Sequence, residues 1–205
     1  MPERIIRGEA KDLYDGIRLE LIRTFANWRI FRQLFATNDE RYLILNNTAP
    51  GFFTLIKDVL VDNAVITLSR LTDPRGYDSL VRLVALMENQ IHHALHEELE
   101  QALSAIQSQC EDIREHRDRR VAHRERKGES PSFEEGPVQL PPITRQKIEG
   151  AMADMAELMN KILGTFTGDY QIYEPVVTGD SDALVYYLEK GLEASGHQRR
   201  IGDSS

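Results

Sequence analysis

The sequence predicts an all-α protein: a helical bundle of four long helices plus short accessory helices. Three observations carry this reading. Apolar residues recur at three- and four-residue steps through most of the chain, the period of one helix face. The alternation of apolar and polar residues that marks strands is nearly absent. The proline- and glycine-containing stretches mostly stand between the periodic segments, where they act as stops.

In chain order, Leu13, Ile17, Leu21, Phe25, Trp28 and Phe35 form one stripe, widened by Phe31 and Leu34, and predict a long helix over 9–36. Asn38-Asp39 ends it, and ERYLILNN adds a short helical piece. Pro50 suits the first turn of a second long helix, where its missing N–H has no intrahelical partner to lose. Phe53, Ile56, Leu60, Ala64, Thr67 and Leu71 hold the period of that helix. TDPRGYDS (72–79) is a stop and a restart, with Ser79 as N-cap.

Residues 80–126 read as helical almost throughout, divided near Gln90 to His96. Leu99, Leu103, Ile106, Cys110, Ile113 and Val121 make the buried stripe there. The segment 128–142 holds four of the eight prolines and is a loop. Thr144 or its neighbours open the next helix, to 166, with Ile148, Met152, Met155, Met159 and Leu163 inward. A shorter helix follows at about 181–194. The expected domains are a bundle over 1–166, a helical extension over 167–195 and a disordered tail over 196–205.

A chain of 205 residues buries a core without metal or disulfide help. Its single cysteine, Cys110, excludes an internal disulfide, and without paired Cys/His ligand spacing a structural zinc site has no support. The N-terminus is charged where a signal peptide needs an apolar stretch, and no run approaches the ~18 apolar residues of a membrane span. The expectation is a cytoplasmic protein with no membrane partner. Net charge is −8, which argues against coating nucleic acid by bulk electrostatics. The distribution differs from the total. Arg114 to Lys127 carries seven Lys/Arg and three Asp/Glu, a local +4, so the rest of the chain carries −12. That contrast steers an anion to one place.

Most other conspicuous residues have structural explanations. Met87, Met152, Met155 and Met159 stand at helix-core spacing. Trp28, with Phe25, Phe31 and Phe35, is core or subunit interface, since no basic residues interleave with it as in a base-stacking platform. His92, His93 and His96, with Glu97 and Glu100, suggest metal ligands, but the pattern is not HExxH and names no fixed third ligand; a polar helix face is the favoured reading. In LSRLTDP (68–74), Asp73-Pro74 ends a helix and Arg70 suits its C-terminal dipole. The other reading there is an inward-facing Asp62, Arg70 or Asp73 supporting a polar site.

EHRDRRVAHRER (115–126) packs five arginines and two histidines into one helical stretch. At about 100° per residue, His116, Arg120, His123 and Lys127 share one stripe, and Arg117 and Arg124 share its neighbour, in line with Ile113. Arg117 therefore falls at the boundary of the apolar face, where a partly buried guanidinium needs a partner, Asp118 or a carboxylate of another helix. Arg117 and His123 lie about 120° apart around a regular helix. They converge on one small group only if the helix bends near Val121-Ala122 or if two copies meet across a two-fold axis. By composition alone the stretch is equally a solvated helix end.

RDRRVAH, Arg117 to His123, resembles the signature of the HEPN superfamily: an arginine, a polar residue, a short spacer and a histidine. More specifically, APGFFTLIKDVLVDNAVITLSRLTDP followed by a long IREHRDRRVAHRE helix looks like the AbiU-type subfamily associated with phage abortive infection. The resemblance covers roughly residues 10–165. It implies an all-helical HEPN-like bundle and metal-independent RNA cleavage between two protomers, with no cofactor. It also implies His123 as acid/base, Arg117 as phosphate clamp and Asp118 as the residue orienting one of them, with His116, Arg120 and Arg124 as substrate contacts. The implied partners are RNA, a second copy of the chain and an antitoxin protein. Some HEPN toxins carry a modifiable tyrosine two residues after the histidine; here Glu125 stands there. The alternative is a non-catalytic HEPN-fold module that binds a nucleotide, an RNA or a protein partner. A helical metal protein built on His92, His93 and His96 is the weakest of the three.

Overall fold

The structure is a computed structural model describing residues 5–126, 143–174 and 179–196, with 120–126 described by backbone only. Among the described residues there is no strand, and eight helices follow in order: α1 (Glu9–Phe35), α2 (Asp39–Thr48), α3 (Pro50–Leu71), α4 (Leu80–Met87), α5 (His93–Gln109), α6 (Glu111–Arg126), α7 (Arg145–Thr167) and α8 (Asp180–Ala194). The protein is all-α, as its periodicity predicts. The expected loop 128–142 and the tail beyond Gly196 lie outside the described residues.

Local chemistry sets half of the eight helix starts among the described residues. The Asn38 side chain accepts from the Arg41 amide at 2.8 Å, Ser79 from Arg82 at 3.3 Å and Thr144 from Lys147 at 3.2 Å. Each satisfies one of the amides that a helix N-terminus leaves open. Pro50 is the first residue of α3. At the far end of α7, Gly168 adopts φ 76° and its amide donates to the Gly164 carbonyl at 3.0 Å, the left-handed ending that glycine takes without a Cβ clash. Gly76 is required by space: a Cβ there would meet the Ser79 Cβ at 3.2 Å and the Arg70 and Asp73 carbonyl oxygens at 3.3 Å.

The third helical run is cut twice. The first cut falls at 88–92, overlapping the expected division near Gln90 to His96. The second, at Cys110, is not signalled in the sequence, because Ile106, Cys110 and Ile113 continue the apolar period across it. Cys110 takes φ −86°, ψ 2° and caps α5, and α6 starts at the next residue.

Contacts gather the chain into two compact units: Met1–Phe25 with Asn63–Tyr173, and Ala26–Asp62 with Glu174–Ser205. In the first, α5 packs on α7, α4 and α6. Its core includes Ile17, Leu21, Leu68, Leu71, Leu83 and Leu99, all at most 1% exposed. Met87, Met152, Met155 and Met159 are buried beside them, as their spacing requires. Leu163 is only half-buried, the stripe drifting to Ile162 and Phe166 over the last turn of α7. In the second unit, α2 packs on α8 around Leu34, Ile44, Leu45, Phe53 and Val185. Trp28 is a core residue there, stacked on Phe31 at 4.4 Å between centroids. Arg41 ties α2 to α8 by donating to Asp182 at 2.7 Å. No helix among the described residues is long and apolar enough to cross a membrane.

Candidate functional site on the charged helix

The charged stretch forms α6. Its N-terminus carries Glu111 and Asp112, matching the positive end of the helix dipole. Ile113 is fully buried and seats the helix in the first unit, and Asp112 forms an ion pair with Lys147 of α7. One turn beyond Ile113, the Arg117 side chain retains 27% exposure. Its Nε donates to Asp118 Oδ1 at 2.8 Å, and a terminal guanidinium nitrogen lies 2.7 Å from the same oxygen. Of the two partners expected for this arginine, the structure supplies Asp118. One carboxylate oxygen takes two guanidinium nitrogens, which holds the charge while leaving other guanidinium N–H groups for an anion.

His116 is half-buried beside Arg117, and Arg119 pairs with Glu115 on the exposed side. The side chains of Arg120, His123 and Arg124 lie outside the described residues; their backbone belongs to α6, which runs as a single helical element through Val121 and Ala122 to Arg126. The structure thus brings Arg117 and Asp118 together directly. The helix keeps Arg117 and His123 six residues apart, about 120° around the axis and about 9 Å along it.

Sequence reasoning missed Arg114. Its guanidinium donates to Thr72 Oγ1 at 3.0 Å and to the Gln107 backbone carbonyl at 2.9 Å, and the Gln107 side-chain Nε2 donates to the Thr72 carbonyl at 3.3 Å. Thr72 and Cys110 are fully buried beside them. Burial pushes the Cys110 thiol up to about 11, against the pull of Arg114 and the Thr72 hydroxyl. A signal existed in the position of Arg114, immediately after a core isoleucine, but its partner 42 residues away leaves no trace in local spacing.

The histidine cluster does not assemble. His93 is exposed near Glu97, while the His96 Nε2 stands 3.1 Å from the Val84 carbonyl oxygen and its ring is largely covered. Among the described residues no group of three or more His, Cys, Asp or Glu side chains is placed to hold a metal ion. In LSRLTDP, Asp73 accepts from the Arg75 amide at 2.9 Å and shapes the turn. Arg70 lines a cleft of about 730 Å³ together with Glu9, Asp12, Glu20, Tyr77, Asp78 and Arg82. Both arginines are matched internally: Arg70 by Glu20, and Arg82 by Glu9 while lying 4.1 Å over the Tyr77 ring. The Arg82 and Tyr77 hydrogen bonds hold the Glu9 carboxyl below its usual range. With four carboxylates against two arginines, this cleft is not built for an anion.

No curated protein and no solved structure matches the chain. A family model described as AbiU2, of HEPN type, matches residues 8–184, most of the chain, and the protein therefore belongs to the HEPN AbiU2 family.

Proposed function

We propose that this chain, a HEPN-type module of the abortive-infection class, is a metal-independent endoribonuclease acting in phage defence or as a toxin. The observation that carries the reading is Arg117, half-buried on α6 and oriented by Asp118, in a chain of this family. Arg117 holds the scissile phosphate and stabilises the charge that builds on its oxygens. His123, neutral, takes the proton from the ribose 2′-OH. The 2′-oxygen forms a bond to phosphorus as the bond from phosphorus to the 5′-oxygen breaks. A protonated histidine gives the leaving oxygen its proton. The products are a 2′,3′-cyclic phosphate and a free 5′-OH, with no redox change and no covalent enzyme intermediate.

Two histidine roles and a 120° offset on one unbroken helix favour a second copy of the chain. With α6 from two protomers facing across a two-fold axis, the arginine of one and the histidine of the other reach a common phosphate, and the pair supplies both base and acid. His116, Arg120 and Arg124 contact neighbouring phosphates. An antitoxin protein would cover the same charged helix.

The test is cleavage of RNA by the purified chain in EDTA. Wild type is expected to release cyclic-phosphate ends. His123→Ala should lose about 100- to 10,000-fold in rate, the scale of a missing acid–base group, and Arg117→Ala should lose activity with it. Cleavage that needs a divalent metal, or that survives both substitutions, rules the reading out. A dimer that binds RNA without cutting it would leave the non-catalytic binding module.

A further inference from the structure

Arg114 joins two segments that stand far apart in the chain. The end of α3 reaches Thr72, whose hydroxyl also donates to the Leu68 carbonyl at 2.8 Å. The elbow between α5 and α6 presents Gln107, whose carbonyl is one of those a helix end leaves open. Arg114 bonds to both, and Gln107 closes the triangle by donating to the Thr72 carbonyl. Three residues with three cross-linking hydrogen bonds therefore fix the break at Cys110, where no proline or glycine does so.

We propose that Arg114 is the positioning residue of the Arg117 motif: by locking the α5–α6 elbow to the end of α3, it sets the direction in which α6 carries Arg117 and, nearly two turns on, His123. Its catalytic consequence rests on the ribonuclease reading; the lock itself does not. Leverage makes the role necessary. A tilt of about 10° at Arg114 moves the backbone at residue 123, about 13 Å along the axis, by roughly 2 Å. Misplacement of about 1 Å can already cost about 100-fold in rate. Arg114 turns both terminal guanidinium nitrogens to Thr72 and Gln107, so its proposed role is to act through Arg117 and His123 and not on RNA.

Four variants and two readouts test this. Arg114→Met keeps much of the stem and removes the donors. Thr72→Val keeps the shape and removes the hydroxyl. Arg114→Lys and Thr72→Ser are the conservative partners, and remain to be read if the methionine variant fails to fold. In RNA cleavage, Arg114→Met and Thr72→Val should lower kcat about 10- to 100-fold, the scale of a lost charge-assisted hydrogen bond, with KM nearly unchanged, and Thr72→Ser should restore it. The second readout is the labelling rate of Cys110, the chain's only cysteine, by a dithiobis(nitrobenzoate) reagent. Removing the Arg114 charge by itself makes the thiol harder to ionise and slows labelling. Acceleration by about tenfold or more, with melting temperature held, can therefore come only from an opened elbow. Unchanged kcat in both variants, or a raised KM with unchanged kcat, overturns the proposal. If wild type cleaves nothing, the ribonuclease reading falls alone. Labelling then decides: rates at or below wild type in both variants overturn the lock, and accelerated rates uphold it.

Discussion

At the scale of single residues, the chemistry of this protein depends on which arginines are already committed. Arg114 is committed to the fold through Thr72 and Gln107, Arg119 to Glu115 on the surface, and Arg117 to an adjacent carboxylate that orients it without enclosing it. Cys110 makes a residue-scale prediction. Burial raises its thiol from the ordinary 9.0 to about 11, so the folded state holds the proton more tightly than the unfolded chain. The associated stability is complete below about pH 9 and is lost as pH rises through about 11, by at most about 3 kcal/mol. Burial also raises Tyr14 and Tyr173, which add a loss of the same sign at higher pH. Chemical denaturation from pH 8 to 11 should therefore show a steeper decline in wild type than in Cys110→Ala. Parallel curves would deny the thiol its role.

At the scale of elements, helix ends decide more than helix interiors. Ser79 is fully buried, its hydroxyl donates to the Gly76 carbonyl at 2.8 Å, and its oxygen accepts from Arg82. It closes the turn that brings α4 back after α3. Ser79→Ala should cost about 0.5–2 kcal/mol, the range for a lost N-cap, measured as a lower denaturation midpoint with an unchanged slope; no loss would mean the turn is held by Gly76 and packing alone. This start was legible in the sequence because capping is local, as were Pro50 and Thr144; Asn38 reads there as the stop of α1 and serves in the structure as the cap of α2. The elbow at Cys110 was not legible, because the residues around it bond to Thr72, a threonine just past the end of α3. The apolar period runs straight across it.

At the scale of the whole molecule, an acidic chain concentrates positive charge on one helix. On the proposed ribonuclease reading, the local +4 of residues 114–127 against −12 elsewhere directs RNA to the C-terminal part of α6, and binding should weaken as salt screens it. The slope of log affinity against log salt should fall by about 0.7 for each phosphate contact removed, so Arg124→Ala is expected to flatten it by that amount. Binding indifferent to salt would mean that α6 is not the RNA surface. The division into two units also belongs to this scale. Packing of α8 on α2 joins residues about 140 positions apart, and no local pattern announces such a pairing.

The sequence by itself determined that the chain is helical, where most helices begin and that Met87, Met152, Met155 and Met159 are buried, and it pointed to Arg117, Asp118 and His123 as the residues to test. Periodicity, caps and charge runs are properties of neighbours along the chain. Tertiary structure alone decided that α6 is a separate helix, that Arg114 bonds to Thr72 and Gln107 beside the break, that Asp118 takes Arg117, and that the histidines at 92, 93 and 96 form no metal cluster. Those outcomes depend on which donors and acceptors meet across the fold, and a hydrogen bond spanning dozens of residues is specified by packing.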